Sequence, residues 1–158
     1  MIPLVPALLL VVPLAGDLDD ARKQLALGRF EDAEARLVAL LPEGGDDVRR
    51  LLGEARVGLG RGLAALEVLD PLLDEADART QLVAGRAFLF AGDELAETGA
   101  QGQDVSYYYE MALEALTRAA ELAPRNDVEA ALEGGWLALS DTGDPEKAPA
   151  LASHGPTT

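Results

Sequence analysis

The side chains that most often carry catalysis are scarce in this sequence. The chain has one histidine, His154, and no cysteine. The lack of cysteine excludes thiol catalysis, a disulfide framework and cysteine-based zinc sites. A single histidine near the end of the chain also disfavours a histidine-based triad, metal cage or proton shuttle.

Three short motifs resemble chemical sites but lack essential residues. Residues 58–62 are glycine-rich, yet they form neither G-x-G-x-x-G nor a G-K-S/T loop, and we predict an inter-helix turn. The acidic run at 17–20 lacks the glycine and the distal glutamate of a calcium loop. Carboxylate pairs such as Glu31 with Glu34 are predicted on solvent faces, without an apolar pocket to separate their pKa values. We therefore expect no enzymatic activity, no metal site and no cofactor.

The net charge of the chain argues against two classes of binding partner. The 158 residues include 28 acidic and 13 basic side chains, which gives a formal net charge of -15. Nucleic acids and anionic membrane surfaces carry the same sign and would repel such a chain. The length allows one domain of ordinary size, or two at most.

The N-terminus differs from the rest of the chain. Residues 2–15 form an unbroken apolar run, which is shorter than the roughly 20 residues that a transmembrane helix needs. Its length fits the apolar region of a secretory signal peptide, although no lysine or arginine precedes it. We interpret residues 1–16 as a signal peptide or N-terminal apolar leader. The prediction is an exported, periplasmic or extracellular protein without a stable membrane anchor once the leader is cleaved. The alternative is a cytoplasmic protein whose leader packs on the first repeat.

The remaining chain has the periodicity of helices. Apolar residues recur every three or four positions, and no sustained alternation of period two occurs. One such stripe, for which Asp46 or Asp47 is the expected N-cap, consists of Val48, Leu51, Leu52, Ala55 and Leu59. Residues of high β-propensity are too sparse for a sheet. The predicted fold class is all-α.

A turn followed by a small residue recurs along the chain. Residues 28–33 (GRFEDA) are repeated at 60–65 (GRGLAA), and a related segment lies at 143–148 (GDPEKA). This order and spacing resemble the tetratricopeptide repeat family, whose helix–turn–helix unit has 34 residues. The resemblance implies a repeat solenoid over residues 17–148, with about three units and a C-terminal capping helix near 128–139. A plain helical bundle is the alternative, and residues 149–158 are expected to form a disordered tail.

Some positions depart from the family pattern. Pro42 and Pro71 come earlier than the family's terminating proline, so the second helices of the first two units are expected to be short or kinked. Gly62 replaces the expected aromatic residue and is expected to loosen the second turn.

The third unit contains an insertion of about 15 residues, at about 93–107. Long connections inside compact units are usually functional or disordered. Tyr109 matches the family's turn aromatic and is expected in the core. Tyr107 and Tyr108 must point elsewhere, and at least one should be partly exposed as a candidate secondary partner contact. Packing of the insertion onto the repeats is the alternative.

In the tetratricopeptide family the first helix of each unit lines a concave groove that holds a peptide or a partner's helix. The resemblance places seven residues of this chain on the groove wall: Arg22, Arg50, Glu54, Arg79, Arg86, Leu89 and Phe90. Arginine forms bidentate pairs with carboxylates, so we expect an acidic segment or a C-terminal carboxylate as the ligand. Leu89 and Phe90 would supply the apolar anchor. Alternatively, the arginines form ordinary surface ion pairs of about 0 to 1 kcal/mol.

These observations together predict a non-enzymatic protein–protein interaction module or scaffold. The alternative function is a self-associating structural subunit of an envelope assembly. Its contacts would be incompletely capped ends of the repeat domain and the region of Tyr107 and Tyr108.

Overall fold

The computed structural model describes residues 14–99 and 103–123, and all regular secondary structure in these residues is helical. The all-α prediction is therefore confirmed for them. The predicted capping helix, the disordered tail and most of the leader lie outside the described residues. The described residues form six α-helices: α1 (Leu14–Ala26), α2 (Phe30–Leu40), α3 (Gly45–Gly58), α4 (Gly62–Leu69), α5 (Ala78–Glu97) and α6 (Gln103–Leu122).

The order of packing follows the order of the chain. Each helix packs against the next one, and α3 also contacts both α1 and α5. One apolar cluster joins α1 to α5, and Leu37, Leu52 and Leu69 are fully buried in it. A second cluster, around Leu116, joins α5 to α6. Burial of each leucine stabilises the fold by about 1.5 to 3 kcal/mol. This arrangement brings α1, α3 and α5 next to one another.

The turns after α1 and α3 have the same conformation. Gly28 and Gly60 both adopt a positive φ, of 71° and 70°, which a residue with a side chain rarely adopts. In both turns the N–H of the next residue donates to the carbonyl five residues earlier, at 2.8 Å and 2.9 Å. This hydrogen bond is characteristic of a glycine-terminated helix. The inter-helix turn predicted at residues 58–62 is therefore confirmed.

The expectation that Gly62 loosens the second turn is wrong. Gly62 is buried at the start of α4. A Cβ at this position would lie 2.1 Å from the backbone nitrogen of Ala91 and 2.6 Å from the carbonyl oxygen of Ala87. The missing side chain therefore allows the backbones of α4 and α5 to approach closely, and the contact is tight.

Glycines on α3 and α5 accept leucines of the following helices. A Cβ on Gly53 would meet Leu69, and a Cβ on Gly85 would meet Leu116. Leu69 follows Gly53 by 16 residues, whereas Leu116 follows Gly85 by 31. Much of the insertion predicted at about 93–107 is helical, because residues 93–97 continue α5 and residues 103–107 begin α6. These two helices have 20 residues each.

The proline prediction is confirmed, and one capping prediction is wrong. Helix α2 ends before Pro42, and α4 has only eight residues before a 3₁₀ turn that contains Pro71. Asp46 and Asp47 are not the N-cap of α3. They lie in its first turn, because the helix already begins at Gly45 and has no side-chain cap. At this position the two carboxylates still favour the helix through its dipole.

Candidate functional site

A depression of about 330 Å³ lies where α1, α3 and α5 are adjacent. We call it the first-helix groove. Its lining consists of Arg22, Leu25, Ala26, Arg50, Leu51, Glu54 and Arg79. Four of the seven residues predicted for a groove wall, namely the three arginines and Glu54, therefore share one surface in the structure.

The apolar part of the lining was not among the predicted site residues. Leu25 and Leu51 are buried and also belong to the larger core cluster, whereas Ala26 is exposed. Leu25 lies three residues after Arg22, so both project from the same side of α1. The three-residue spacing in the sequence indicated that Leu25 accompanies Arg22 on one side of α1. The sequence alone, however, does not distinguish a core leucine from one that also lines a groove.

A chain of ion pairs connects α1, α3 and α5 beside the groove. Arg22 lies 3.1 Å from Asp19 on its own helix and 3.9 Å from Asp47 on α3. Arg50 also pairs with Asp47, and it lies 3.4 Å from Asp77, which precedes α5. Acidic and basic groups thus alternate from α1 to α5. Because these side chains are partly exposed, each pair contributes about 0 to 1 kcal/mol.

Arg79 and Glu54 form a separate pair within the lining. The Nη2 of Arg79 lies 2.8 Å from the Oε1 of Glu54. The Oε2 of Glu54 is buried and has no hydrogen-bond partner among the described residues.

The carboxylate that contacts Arg50 is itself held rigidly. Asp77 is the N-cap of α5, and its Oδ2 accepts from the backbone N–H of Thr80 at 2.8 Å and from its hydroxyl at 2.7 Å. These hydrogen bonds, followed by the charge of Arg50, hold the pKa of the Asp77 carboxyl below its usual range. Asp77 therefore stays ionised and fixes one side of the Arg50 guanidinium.

The ion-pair interpretation thus describes Arg22, Arg50 and Arg79 correctly, since each has a carboxylate partner. The pairs engage one or two nitrogens of each guanidinium, which carries five N–H donors. Within residues 14–99 and 103–123, the ion pairs therefore leave further donors of these arginines unengaged. The groove is a surface of mixed charge and not a bare cationic patch.

The other three predicted wall residues are not part of the lining. Leu89 packs against the cluster between α5 and α6, whereas Phe90 packs against the larger cluster. Adjacent residues project about 100° apart around a helix, which separates the two side chains and prevents them from forming one anchor. Arg86 is half-buried and also lies outside the lining.

A second cluster of charges joins α2, α3 and α4. Glu34 accepts from the Nε of Arg56 at 3.1 Å and from the Nη1 of Arg61 at 2.6 Å. Arg56 also donates to the carbonyl oxygen of Ala64 at 2.6 Å. The prediction that Glu34 lies on a solvent face is wrong, because its side chain is only 19% exposed. Sequence periodicity missed it because its partners are more than 20 residues away.

The three tyrosines lie in different environments at the start of α6. Tyr107 is 53% exposed, which confirms that at least one of Tyr107 and Tyr108 is accessible. Its ring meets Tyr108 edge-on with centroids 5.5 Å apart, and Tyr108 in turn lies 6.3 Å from Phe88. Tyr109 is half-buried and donates from its hydroxyl to Asp93 at 2.7 Å.

The described residues contain no group of three or more histidine, cysteine, aspartate or glutamate side chains that could hold a metal ion. No helix in this part of the chain is long and apolar enough to cross a membrane. Comparison with family models, curated proteins and solved structures finds no match to this chain.

Proposed function

We propose that this protein is a non-enzymatic interaction module that binds a segment of a partner protein in the first-helix groove. The observation that carries the proposal is the lining of the groove by three helices that are distant in sequence. Surfaces of this kind, on the inner side of stacked helical units, are the binding faces of repeat proteins.

The arrangement of a tetratricopeptide-like solenoid is part of the proposal. The turns after α1 and α3 share a glycine conformation and a hydrogen-bond pattern. The glycines of α3 and α5 are each covered by a leucine from the following helix. Helix α3 contacts the first helices on both sides. These features support three successive units whose first helices face the same way.

The chemistry of the groove favours a ligand with a carboxylate beside an apolar side chain. Leu25 and Leu51 provide an apolar floor. The guanidinium groups of Arg22 and Arg79 stand at its edge with donors left to offer, and hydrogen bonds to charged groups contribute about 1.5 to 3 kcal/mol. An acidic segment or a C-terminal carboxylate fits this combination.

Photo-crosslinking from two adjacent positions tests whether the groove is the binding site. Benzoylphenylalanine at Ala26 lies in the groove, whereas the same group at Leu27 is exposed but outside the lining. In cells of the source organism, we expect a crosslinked partner from Ala26 and none from Leu27. Equal crosslinking from both positions, or crosslinking from Leu27 alone, would contradict the proposal.

Charge variants test the ligand chemistry once the crosslinked segment is known. Arg22→Gln with Arg79→Gln should weaken binding of that synthetic segment by about tenfold or more, because charge-assisted hydrogen bonds are lost. Arg29→Gln with Arg49→Gln removes the same charge outside the lining and should leave affinity unchanged. The segment with its carboxylates replaced by amides should bind the parent protein as weakly as the groove variant binds the original. Equal affinity of both segments would refute the carboxylate assignment.

Self-association as an envelope subunit is the second candidate, favoured by the exposure of Tyr107 on α6. Light scattering over a dilution series distinguishes it, since a mass that does not change with concentration and equals that of a monomer excludes self-assembly.

Export is a further part of the proposal. The mass of the N-terminus of the mature protein tests it.

A further inference from the structure

One carboxylate beside the groove is shared by arginines of two different helices. Asp47 on α3 contacts the Nη2 of Arg50 through its Oδ1, and its Oδ2 lies 3.9 Å from the Nη2 of Arg22 on α1. Both arginines line the groove, whereas Asp47 lies outside the lining. The Asp47 carboxylate therefore occupies the place between Arg22 and Arg50 where a ligand carboxylate would meet both guanidinium groups at once.

Within the described part of the chain, the side chain of Asp47 is held in this place by the two arginines alone. It is 56% exposed. Asp77, by contrast, is fixed by both the backbone N–H and the hydroxyl of Thr80. Asp47 also lies in the first turn of α3, where the helix dipole favours a negative charge that has no other partner. Asp47 can therefore turn away from the arginines while α3 stays intact.

A ligand carboxylate and the Asp47 carboxylate exclude each other from this place. Any carboxylate that accepts hydrogen bonds from both Arg22 and Arg50 must come close to the Asp47 oxygens. Two carboxylates that share one site repel each other, so the charged forms of both are disfavoured there. Arg22 keeps its pair with Asp19 when Asp47 turns away. Arg50 likewise keeps its pair with Asp77, so both guanidinium groups stay in position for a ligand.

We propose that Asp47 is an internal competitor, which the carboxylate of a bound partner displaces from its place between Arg22 and Arg50. The exchange replaces one carboxylate by another and gains little by itself, because exposed ion pairs of this kind contribute little. Net affinity then comes from an apolar side chain on Leu25 and Leu51. The groove therefore discriminates against carboxylates that have no apolar group beside them. This inference rests on the proposed groove function and identifies a residue that regulates it.

Replacement of Asp47 by asparagine tests the competition in the full-length protein. The probe is N-acetyl-L-leucine, which carries a carboxylate beside an apolar side chain, and NMR follows its binding through the arginine Nε–H signals. We expect the probe to shift the signals of Arg22 and Arg50, and its uncharged amide to leave them unchanged. Asp47→Asn should lower the dissociation constant of the probe about two- to fivefold, because a neutral amide competes weakly for the guanidinium groups.

Asp46 provides the matched control, because it is the adjacent residue in the same turn of α3 and is also exposed. Among residues 14–99 and 103–123 its side chain has no hydrogen bond or ion pair. Asp46→Asn removes the same charge, and at physiological ionic strength its long-range effect is screened over about 8 Å. It should change the dissociation constant by less than about 1.5-fold. An equal gain in affinity in both variants would overturn the proposal, because the effect would then come from net charge.

The remaining outcomes separate this inference from the groove function itself. Equal affinity of the parent and Asp47→Asn for the probe overturns the inference and leaves the groove function in place. Equal binding of the probe and its amide, or no binding of the probe even by Asp47→Asn, also overturns it, because no carboxylate then takes the place of Asp47. Photo-crosslinking from Ala26 decides the groove function independently in that case. Binding by Asp47→Asn with none by the parent supports the inference.

The backbone amide spectrum shows whether each variant is folded. If Asp47→Asn loses its fold, Asp47→Ser replaces it, because the shorter hydroxyl side chain also removes the charge from the two arginines. The predictions for the dissociation constant of N-acetyl-L-leucine are then the same, and equal affinity of Asp47→Ser and the parent overturns the inference.

Discussion

Replacement of Gly62 by alanine tests the tight contact between α4 and α5. The added Cβ would lie 2.1 Å from the backbone nitrogen of Ala91, whereas ordinary van der Waals contact begins at 3.4 Å. Backbone atoms cannot rotate away as a side chain can, so the two helices must separate by more than an ångström. Ala65, Ala87 and Leu69, all fully buried in the same cluster, would lose packing contacts.

The expected cost follows from these contacts. Overpacking of a core costs about 1 to 3 kcal/mol, and the backbone clash places Gly62→Ala toward the upper end of that range. Alanine recovers less than about 1 kcal/mol of helix propensity, because Gly62 is the first residue of α4. We expect the free energy of unfolding to fall by about 2 kcal/mol, which corresponds to a fall in Tm of about 8 °C for a domain of this size.

Urea unfolding of the full chain, with residues 1–16 retained, measures this change when it is followed by far-UV circular dichroism, and Gly16→Ala is the matched control. A Cβ on Gly16, which lies in α1, would meet no packing atom within 4 Å, and the φ of this glycine is not positive. Its replacement should be neutral or stabilising by less than about 1 kcal/mol. If Gly62→Ala were as stable as Gly16→Ala, the close approach of α4 and α5 would be refuted.

Three further substitutions and one control test the helix cap, the Glu34 cluster and the glycine turn, each by urea unfolding. Asp77→Ala removes the cap of α5 and should cost about 1 kcal/mol at neutral pH. Because folding lowers the pKa of the Asp77 carboxyl, its charged form stabilises the protein above the ordinary pKa of 3.8, and this contribution is lost as the pH falls through the folded value. The difference between variant and parent should therefore narrow at acidic pH, and a constant difference would contradict this. Glu34→Ala leaves two arginines without their shared carboxylate and should lower the free energy of unfolding by about 1.5 to 3 kcal/mol. As a control, Lys23→Ala breaks only an exposed pair and should lower it by less than about 0.5 kcal/mol. Equal losses of stability in the two variants would count against the Glu34 cluster. Gly60→Ala forces a side chain into a φ of 70° and should cost about 1 to 2 kcal/mol, so an unchanged stability would show that the turn relaxes.

Four residues of the groove lining could be predicted from the sequence, but their ion-pair partners could not. The resemblance to the tetratricopeptide repeat placed Arg22, Arg50, Glu54 and Arg79 on one surface, and the structure brings these four residues together in the lining. The alternative of ordinary surface ion pairs was also available from the sequence, but the carboxylate partner of each arginine was not. Such pairs depend on side chains up to 27 residues apart in the chain, and periodicity within one helix carries no information about them.

The direction in which a side chain projects from its helix decided which apolar residues line the groove. Leu89 and Phe90 are adjacent in sequence, yet they pack against different clusters because successive residues turn around the helix axis. The prediction of Leu89 and Phe90 as one apolar anchor therefore failed, because the sequence does not give the orientation of α5 between α4 and α6. The apolar residues of the lining are instead Leu25 and Leu51, together with Ala26, because α1 and α3 present them beside the arginines.

The sequence by itself determined the helical class, the glycine turns and the early ends of α2 and α4. These features depend on local causes: apolar periodicity, the positive φ that glycine tolerates, and the lost N–H and fixed φ of proline. Only the tertiary structure decided that Gly62 permits a backbone contact, that Glu34 is enclosed by two arginines and that Leu25 and Leu51 line a groove. Each of these depends on which helices meet and at what distance, because close packing and charge pairing act between residues that the chain keeps far apart.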